Sequence, residues 1–164
     1  MSIRILGDEV LREKALPIEE INDEIRELAR EMLVVMKDTD GIGLAGPQVG
    51  VSKRIFVVNA DDGVDRVFIN PQIIGTSTEI CGYEEGCLSI PGVYENVNRP
   101  ERITIQAQNE NGRRITMEAE GLLARVIQHE YDHLEGVLFI DRINPSRKEK
   151  IEAKFKKKNG IKEV

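Results

Sequence analysis

The run from Gly121 to Gly136 constrains the chain most. It carries Leu122, Leu123, Val126, Ile127 and Leu134 at helical spacing, and His129-Glu130-Tyr131-Asp132-His133 stands inside it. At about 100° per residue, Leu122, Val126, His129 and His133 fall on one line of the helix, with Leu123, Ile127, Glu130 and Leu134 beside it. Arg125, Gln128 and Asp132 are expected on the opposite, polar face. The two imidazoles are then one turn apart and able to grip one cation. Glu130 lies in the apolar sector, where a bare carboxylate is costly unless something pairs with it. A metal ion with its bound water is such a partner: two His hold the ion, and the Glu takes the water's proton. The plain alternative is a pair of satisfied core or surface imidazoles. Against it, the chain has two histidines in all, and both fall in this one pattern.

Two imidazoles leave a metal site one ligand short. An H-E-x-x-H-x-x-G-x-x-H extension fits as far as Gly136 and then meets Phe139, which cannot bind metal. A thermolysin-like arrangement takes a Glu from a downstream helix, and Glu152 is the candidate, in a Lys-rich segment. Upstream, Glu85-Gly86-Cys87-Leu88-Ser89-Ile90-Pro91 places a cysteine between a glycine and an apolar run, where a thiolate would complete a Cys-His-His site with one position open to water. Cys81 is the rival thiol, and a closed structural site would need it or a carboxylate as a fourth ligand.

The rest of the chain frames this site. At 164 residues and 40% hydrophobic, it suits a single domain with a real core. Its start has no continuous apolar stretch of the signal-peptide kind, and no run approaches membrane-spanning length, so a cytoplasmic protein with no membrane partner is expected. Cys81 and Cys87 are expected to be reduced. From Pro145 onward eight Lys or Arg oppose three Glu, a net of +5, so the total of −6 leaves −11 on residues 1–144. A basic C-terminal helix over 145–164, appended to an acidic catalytic body, points to an anionic partner such as a ribonucleoprotein surface. Specific DNA recognition is not expected, and the plain alternative is a solvated helix face.

Along the chain, Asn22 or Asp23 caps a helix running to about Lys37, with Ile25, Leu28, Ala29, Met32, Leu33 and Met36 as its buried stripe. Gly41 to Gly50 is expected as a loop pressed on the interior. Strands are expected at Arg54–Asn59, Arg66–Asn70 and Ile73–Ile74. A hairpin follows, with arms Arg102–Gln108 and Arg113–Ala119 about Asn111-Gly112. Ser146 and Glu149 are read as the capping box of the last helix, with Ile151 and Phe155 on its apolar side. Strands in a block between helices imply an α+β fold, with antiparallel sheets packed around a central metal-binding helix and a further helix toward each terminus.

Taken together, three motifs make the chain resemble the peptide deformylases: Gly41-Ile42-Gly43-Leu44-Ala45-Gly46-Pro47-Gln48, Glu85-Gly86-Cys87-Leu88-Ser89, and Gln128-His129-Glu130-Tyr131-Asp132-His133. The resemblance runs from the N-terminus to about Asp141. It departs at Gly46, where the family usually has Ala. It implies Cys87, His129 and His133 as ligands of a divalent metal, Fe(II) by family habit, with Co(II), Ni(II) and Zn(II) also acceptable to such a set. It implies Glu130 as the proton-transferring group, and the Gln48 amide with the Leu88 backbone N–H as the oxyanion site. The implied reaction removes the formyl group from N-formylmethionyl nascent peptides. Gly43 and Glu85 would line the substrate site, with Ile42 and Leu122 offering the methionine side chain a pocket. The basic tail would dock on the ribosome, as in some bacterial deformylases with a C-terminal helix. The competing readings are a metallopeptidase using Glu152 and a non-catalytic, metal-stabilised ribosome-binding module.

Overall fold

The computed structural model describes residues 1–159. Three helices, α1 (Asp23–Asp38), α2 (Gly121–Leu134) and α3 (Pro145–Asn159), frame seven strands: β1 (Gly43–Ala45), β2 (Ile55–Val58), β3 (Arg66–Thr76), β4 (Ile80–Cys87), β5 (Ile90–Pro100), β6 (Arg102–Gln108) and β7 (Arg114–Glu120). The strands form an antiparallel five-stranded sheet in the order β1-β2-β3-β6-β7 and a separate β4-β5 hairpin. This is the expected α+β architecture with antiparallel sheets. No helix among the described residues is long and apolar enough to cross a membrane.

Helix α1 starts where the Asn22 side chain accepts from the Ile25 N–H at 3.1 Å, filling one of the donors that a helix start leaves open. Its Ile25, Ala29, Met32 and Met36 are buried against the β2 and β3 residues Ile55, Val57, Val67 and Ile69. The stretch after it corrects the expected loop. Residues 43–45 pair with β2, and Gly46–Val49 form a 3-10 turn that Pro47 opens and Gly50, at φ 84°, closes. Ladder pairing and the turn satisfy the backbone of this glycine-rich segment, and this lets it lie buried.

Ile73–Ile74 is not a separate strand. β3 is continuous, with register shifts against β6 between Ile69 and Gln72 and between Ile73 and Gly75. Asn70-Pro71 reads as a break in sequence, yet it occupies the first irregularity, where a proline removes no needed ladder donor. Asn70 there is at φ 49°, and its amide bonds the backbone N–H and C=O of Ile18, each at 2.8 Å. Ile103 and Ile105 of β6 point inward as expected, at 2% and 0% exposure.

The β4-β5 hairpin was not anticipated, and its presence changes the surroundings of α2. One flank of the helix packs on β1, β2 and β7, while the hairpin side takes up the residues expected to face solvent. Arg125, Gln128 and Asp132 are all buried. Each is tied to a partner: Arg125 to the Val97 and Cys81 carbonyls, Gln128 to the Pro100 carbonyl, Asp132 to Arg99 and Arg142. Hydrogen bonding and ion pairing, which make polar groups tolerable inside, place this face in the interior.

At the last helix the cap is Asn144 and not the Ser146/Glu149 box: its side chain accepts from the Ser146 N–H at 2.8 Å, and Pro145 occupies the first turn, where a proline lacks no needed donor. Ile151 and Phe155 are buried in a cluster with Leu6, Leu11, Leu138, Phe139 and Ile140, and Cys87 packs against it. The expected basic segment 145–164 thus has its final residues, Lys162 and Glu163 included, outside the described residues. Both cysteines are free.

Candidate metal centre

Helix α2 presents His129 and His133 one turn apart, and β4 ends on Cys87 facing them. The sulfur and one nitrogen of each imidazole all lie within 4.8 Å of one another. Cys87 Sγ is 3.3 Å from His133 Nε2. The 3-10 turn after β1 supplies Gln48, 1% exposed, whose Nε2 lies 3.5 Å from the Cys87 sulfur and 3.2 Å from Ser89 Oγ. Its Oε1 accepts from the Ala45 N–H at 2.9 Å, which fixes the amide with its donor end toward the cysteine.

His129 is oriented from behind. Its Nδ1 is 2.9 Å from Glu85 Oε1, and an ionised carboxylate there makes Nδ1 the protonated nitrogen and leaves the Nε2 lone pair free to bind a metal. The Phe139 ring stacks on the imidazole, centroids 6.0 Å apart. Burial pushes the Glu85 carboxyl up, but the bonds from His129 and Arg99 outweigh it and hold the group well below the usual carboxylate range. Arg99 grips both Glu85 oxygens, at 2.7 and 3.0 Å, and Arg125 adds a third guanidinium contact at 2.8 Å.

Burial, reinforced by the charge of His129 nearby, pulls the His133 pKa well below its ordinary value, so this ring is neutral, the form that binds metal. Burial acts the same way on His129, yet the bonds to Cys87 and Glu85 overcome it and raise that pKa. Glu130, 4% exposed, is pushed up to about 7, mainly by burial. Its Oε1 is buried and has no hydrogen-bond partner among the described residues. A cysteine sulfur, two imidazoles and an orphaned carboxylate oxygen beside them fit a four-coordinate divalent ion with one position left for water.

The rival ligands do not join this group. Glu152 lines a separate groove with Leu6, Leu11 and Leu138, and Cys81, also free, is absent from the cluster. A closed structural site would need a fourth protein ligand, and the Cys-His-His group contains none.

A cleft of about 570 Å³ opens over the cluster, and its walls include Ile42, Gly43, Gln48, Leu88, Leu122, Val126 and Glu130, with Tyr83 and Tyr94 also lining it. Glu85 reaches the wall as well, but its oxygens are engaged by His129, Arg99 and Arg125. Sequence reasoning missed Ser89, Arg99, Arg125, Asp132 and Phe139. A signal for Arg99 did exist: it stands two residues from the apolar Val97 and so shares that residue's buried face of β5.

Residues 1–149 match the family model described as polypeptide deformylase. The chain is 49% identical over 149 residues to the peptide deformylase of Treponema pallidum, covering 91% of each chain. It is 53% identical over 141 residues to peptide deformylase 1 of Clostridium perfringens, covering 85% of this chain and 95% of that one. Among solved structures, the peptide deformylase of Synechococcus elongatus in complex with actinonin superposes with a TM-score of 0.89 at 44% identity, covering 99% of this chain and 87% of that one. With Cys87, His129 and His133 gathered within 4.8 Å of one another, and Glu130 lining the same cleft as Cys87 and His129, the chain belongs to the polypeptide deformylase family.

Proposed function

We propose that this chain is a peptide deformylase, a single catalytic domain that hydrolyses the formyl amide of N-formylmethionyl nascent peptides in the cytoplasm and releases formate. The observation that carries the reading is the Cys87, His129, His133 group, with the unpartnered Glu130 oxygen buried beside it in an open cleft. These three side chains would hold one divalent ion, Fe(II) in the cell, with Co(II), Ni(II) or Zn(II) as acceptable substitutes. When bound, the ion supplies Lewis-acid chemistry, polarising a carbonyl and making water acidic enough to give up a proton near neutrality.

The remaining work falls to the protein. Glu130 accepts the proton of the attacking water and hands it to the amine as the carbon–nitrogen bond breaks, a double duty suited to a carboxyl poised near neutrality. Gln48 Nε2 and the Leu88 N–H donate to the oxygen that gains charge, and the Ala45 contact means the Gln48 amide need not reorient. Ile42 and Leu122 receive the methionine side chain, and Gly43 leaves room beside Glu130. Glu85 serves the site by orienting His129.

Helix α3 would bring this site to its substrate. Lys150, Lys154, Lys157 and Lys158 are exposed on it, and a basic stripe of this kind suits the phosphate-rich ribosome surface from which formylated chains emerge. Replacing these four lysines with Glu should weaken salt-sensitive ribosome binding and leave turnover of short peptides unchanged. The activity itself is tested by formate release: N-formylmethionyl peptides should react and N-acetylmethionyl peptides far more slowly. Equal rates on both, or cleavage of internal peptide bonds, would overturn the reading.

A further inference from the structure

A buried chain of ion pairs backs the metal centre, and the chemistry above makes no use of its middle member. Arg99, 3% exposed, stands on β5. Its Nε and Nη2 donate to the two oxygens of Glu85, and its Nη1 donates to Asp132 Oδ2 at 2.8 Å. Glu85 in turn accepts from His129 Nδ1, and Asp132 is the residue immediately before His133. One guanidinium therefore joins the hydrogen-bond acceptor of one imidazole to the backbone neighbour of the other. It also joins the hairpin that carries Cys87 to the helix that carries both histidines. Arg142 closes the outer end, with Nε and Nη2 on Asp132 at 2.6 and 2.7 Å.

Stability alone is a weak reason for such a network. Burying ions takes them out of water at a penalty that their mutual attraction roughly repays, and well-packed apolar side chains often do as well. What the arrangement supplies instead is geometry, because a planar fork with donors in fixed directions can hold two carboxylates at once in one mutual orientation. We propose that Arg99 is a positioning residue of the metal centre, setting the two imidazoles relative to each other and to Cys87 through Glu85 and Asp132. This rests on the reading of Cys87, His129 and His133 as metal ligands.

The test uses the full chain loaded with Co(II), read by its visible absorption and by titration of the metal. Arg99→Lys keeps the charge but, as a single compact ammonium, cannot reproduce the three-bond fork. It should shift the cobalt d–d bands and weaken Co(II) binding about 10-fold, the low end of the usual effect of losing an outer partner of a metal ligand, because Arg99 acts one bond further out, through Glu85. Arg102→Lys, in the exposed pair with Glu79, should change neither. Wild-type affinity and spectrum in folded Arg99→Lys would overturn the proposal. Should that variant not fold, as judged by circular dichroism, Asp132→Asn decides: it weakens the same bridge and leaves Arg99 on Glu85, so it should shift the bands too, and an unchanged spectrum overturns the proposal. Cys87→Ala, run alongside, separates the premise, since a cobalt spectrum indifferent to Cys87 removes the metal-centre reading whatever Arg99 does.

Discussion

The Glu130 carboxylate fills the space that a side chain on Gly43 would need: a Cβ built on Gly43 would stand 2.5 Å from Glu130 Oε2 and 2.8 Å from Val126 Cγ1. The glycine is needed for room, since Gly43 is not among the residues at positive φ. Gly43→Ala should therefore push the carboxylate aside while β1 keeps its pairing. Displacements of about 1 Å in a catalytic group can lower rates ~100-fold, and we expect a loss of that order in formate release, with metal content and circular dichroism unchanged. Wild-type turnover in this variant would mean that Glu130 does not work from the position described.

Glu130→Gln keeps size and removes the base. The variant should retain near-normal metal content and fold, while formate release falls by at least ~100-fold, the usual worth of a positioned general base. His129→Ala, His133→Ala and Cys87→Ala should instead lose metal and activity together. Elemental analysis beside single-turnover kinetics distinguishes the two classes. Metal loss in Glu130→Gln would make Glu130 a ligand, and normal turnover would send the proton through another group.

Legibility in the sequence followed the period of apolar residues. Helices α1 and α2 and strand β6 carry clean periodicities, and their inward faces pack on the core, with Leu28, Leu33, Leu122 and Leu123 half-buried at the margins. The β4-β5 hairpin did not, because two of its buried positions are Glu85 and Arg99, an ion pair that a sequence presents as two solvent-facing charges. The same blind spot put Arg125, Gln128 and Asp132 on a solvent face. Burial of a charge depends on a partner far along the chain, 33 residues away for Asp132 and Arg99, and local pattern does not name that partner, even where, as at Arg99, strand alternation marks the buried face. At the site, the metal-ligating types and their spacing were visible, whereas the groups that orient them were not.

Gly46 stands where the family usually has Ala, and its surroundings are tight in this chain. A Cβ there would meet the Val51 carbonyl oxygen at 2.7 Å and that of Lys53 at 2.9 Å. Both are backbone atoms, so neither can swing away as a side chain would. Gly46→Ala should destabilise the protein by roughly 1–3 kcal/mol, the usual range for overpacking, measured as a lower midpoint in urea. An unchanged midpoint would show that the 51–53 segment yields freely.

Asp141 joins three parts of the chain. Its carboxylate accepts from Arg12 at 2.6 Å, from Lys148 Nζ at 2.7 Å and from the Leu138 N–H at 2.9 Å, so it ties the N-terminal segment and α3 to the turn after α2. Burial pushes its carboxyl up, but these three donors outweigh burial and hold it below the usual range. A carboxylate whose folded pKa is depressed stabilises the fold at every pH above its unfolded value, about 3.9 for Asp. That contribution is lost as pH falls through the lower folded value, where the folded state too takes up the proton. Asp141→Asn should therefore lower stability at neutral pH by on the order of 1–3 kcal/mol, the range for hydrogen bonds to a charged group. The gap between variant and wild type should stay level down to about pH 4 and close at more acid pH. Urea midpoints of both proteins across pH 2–7 would check this, and a gap that instead widens in acid would mean that Asp141 is not held in its ionised form.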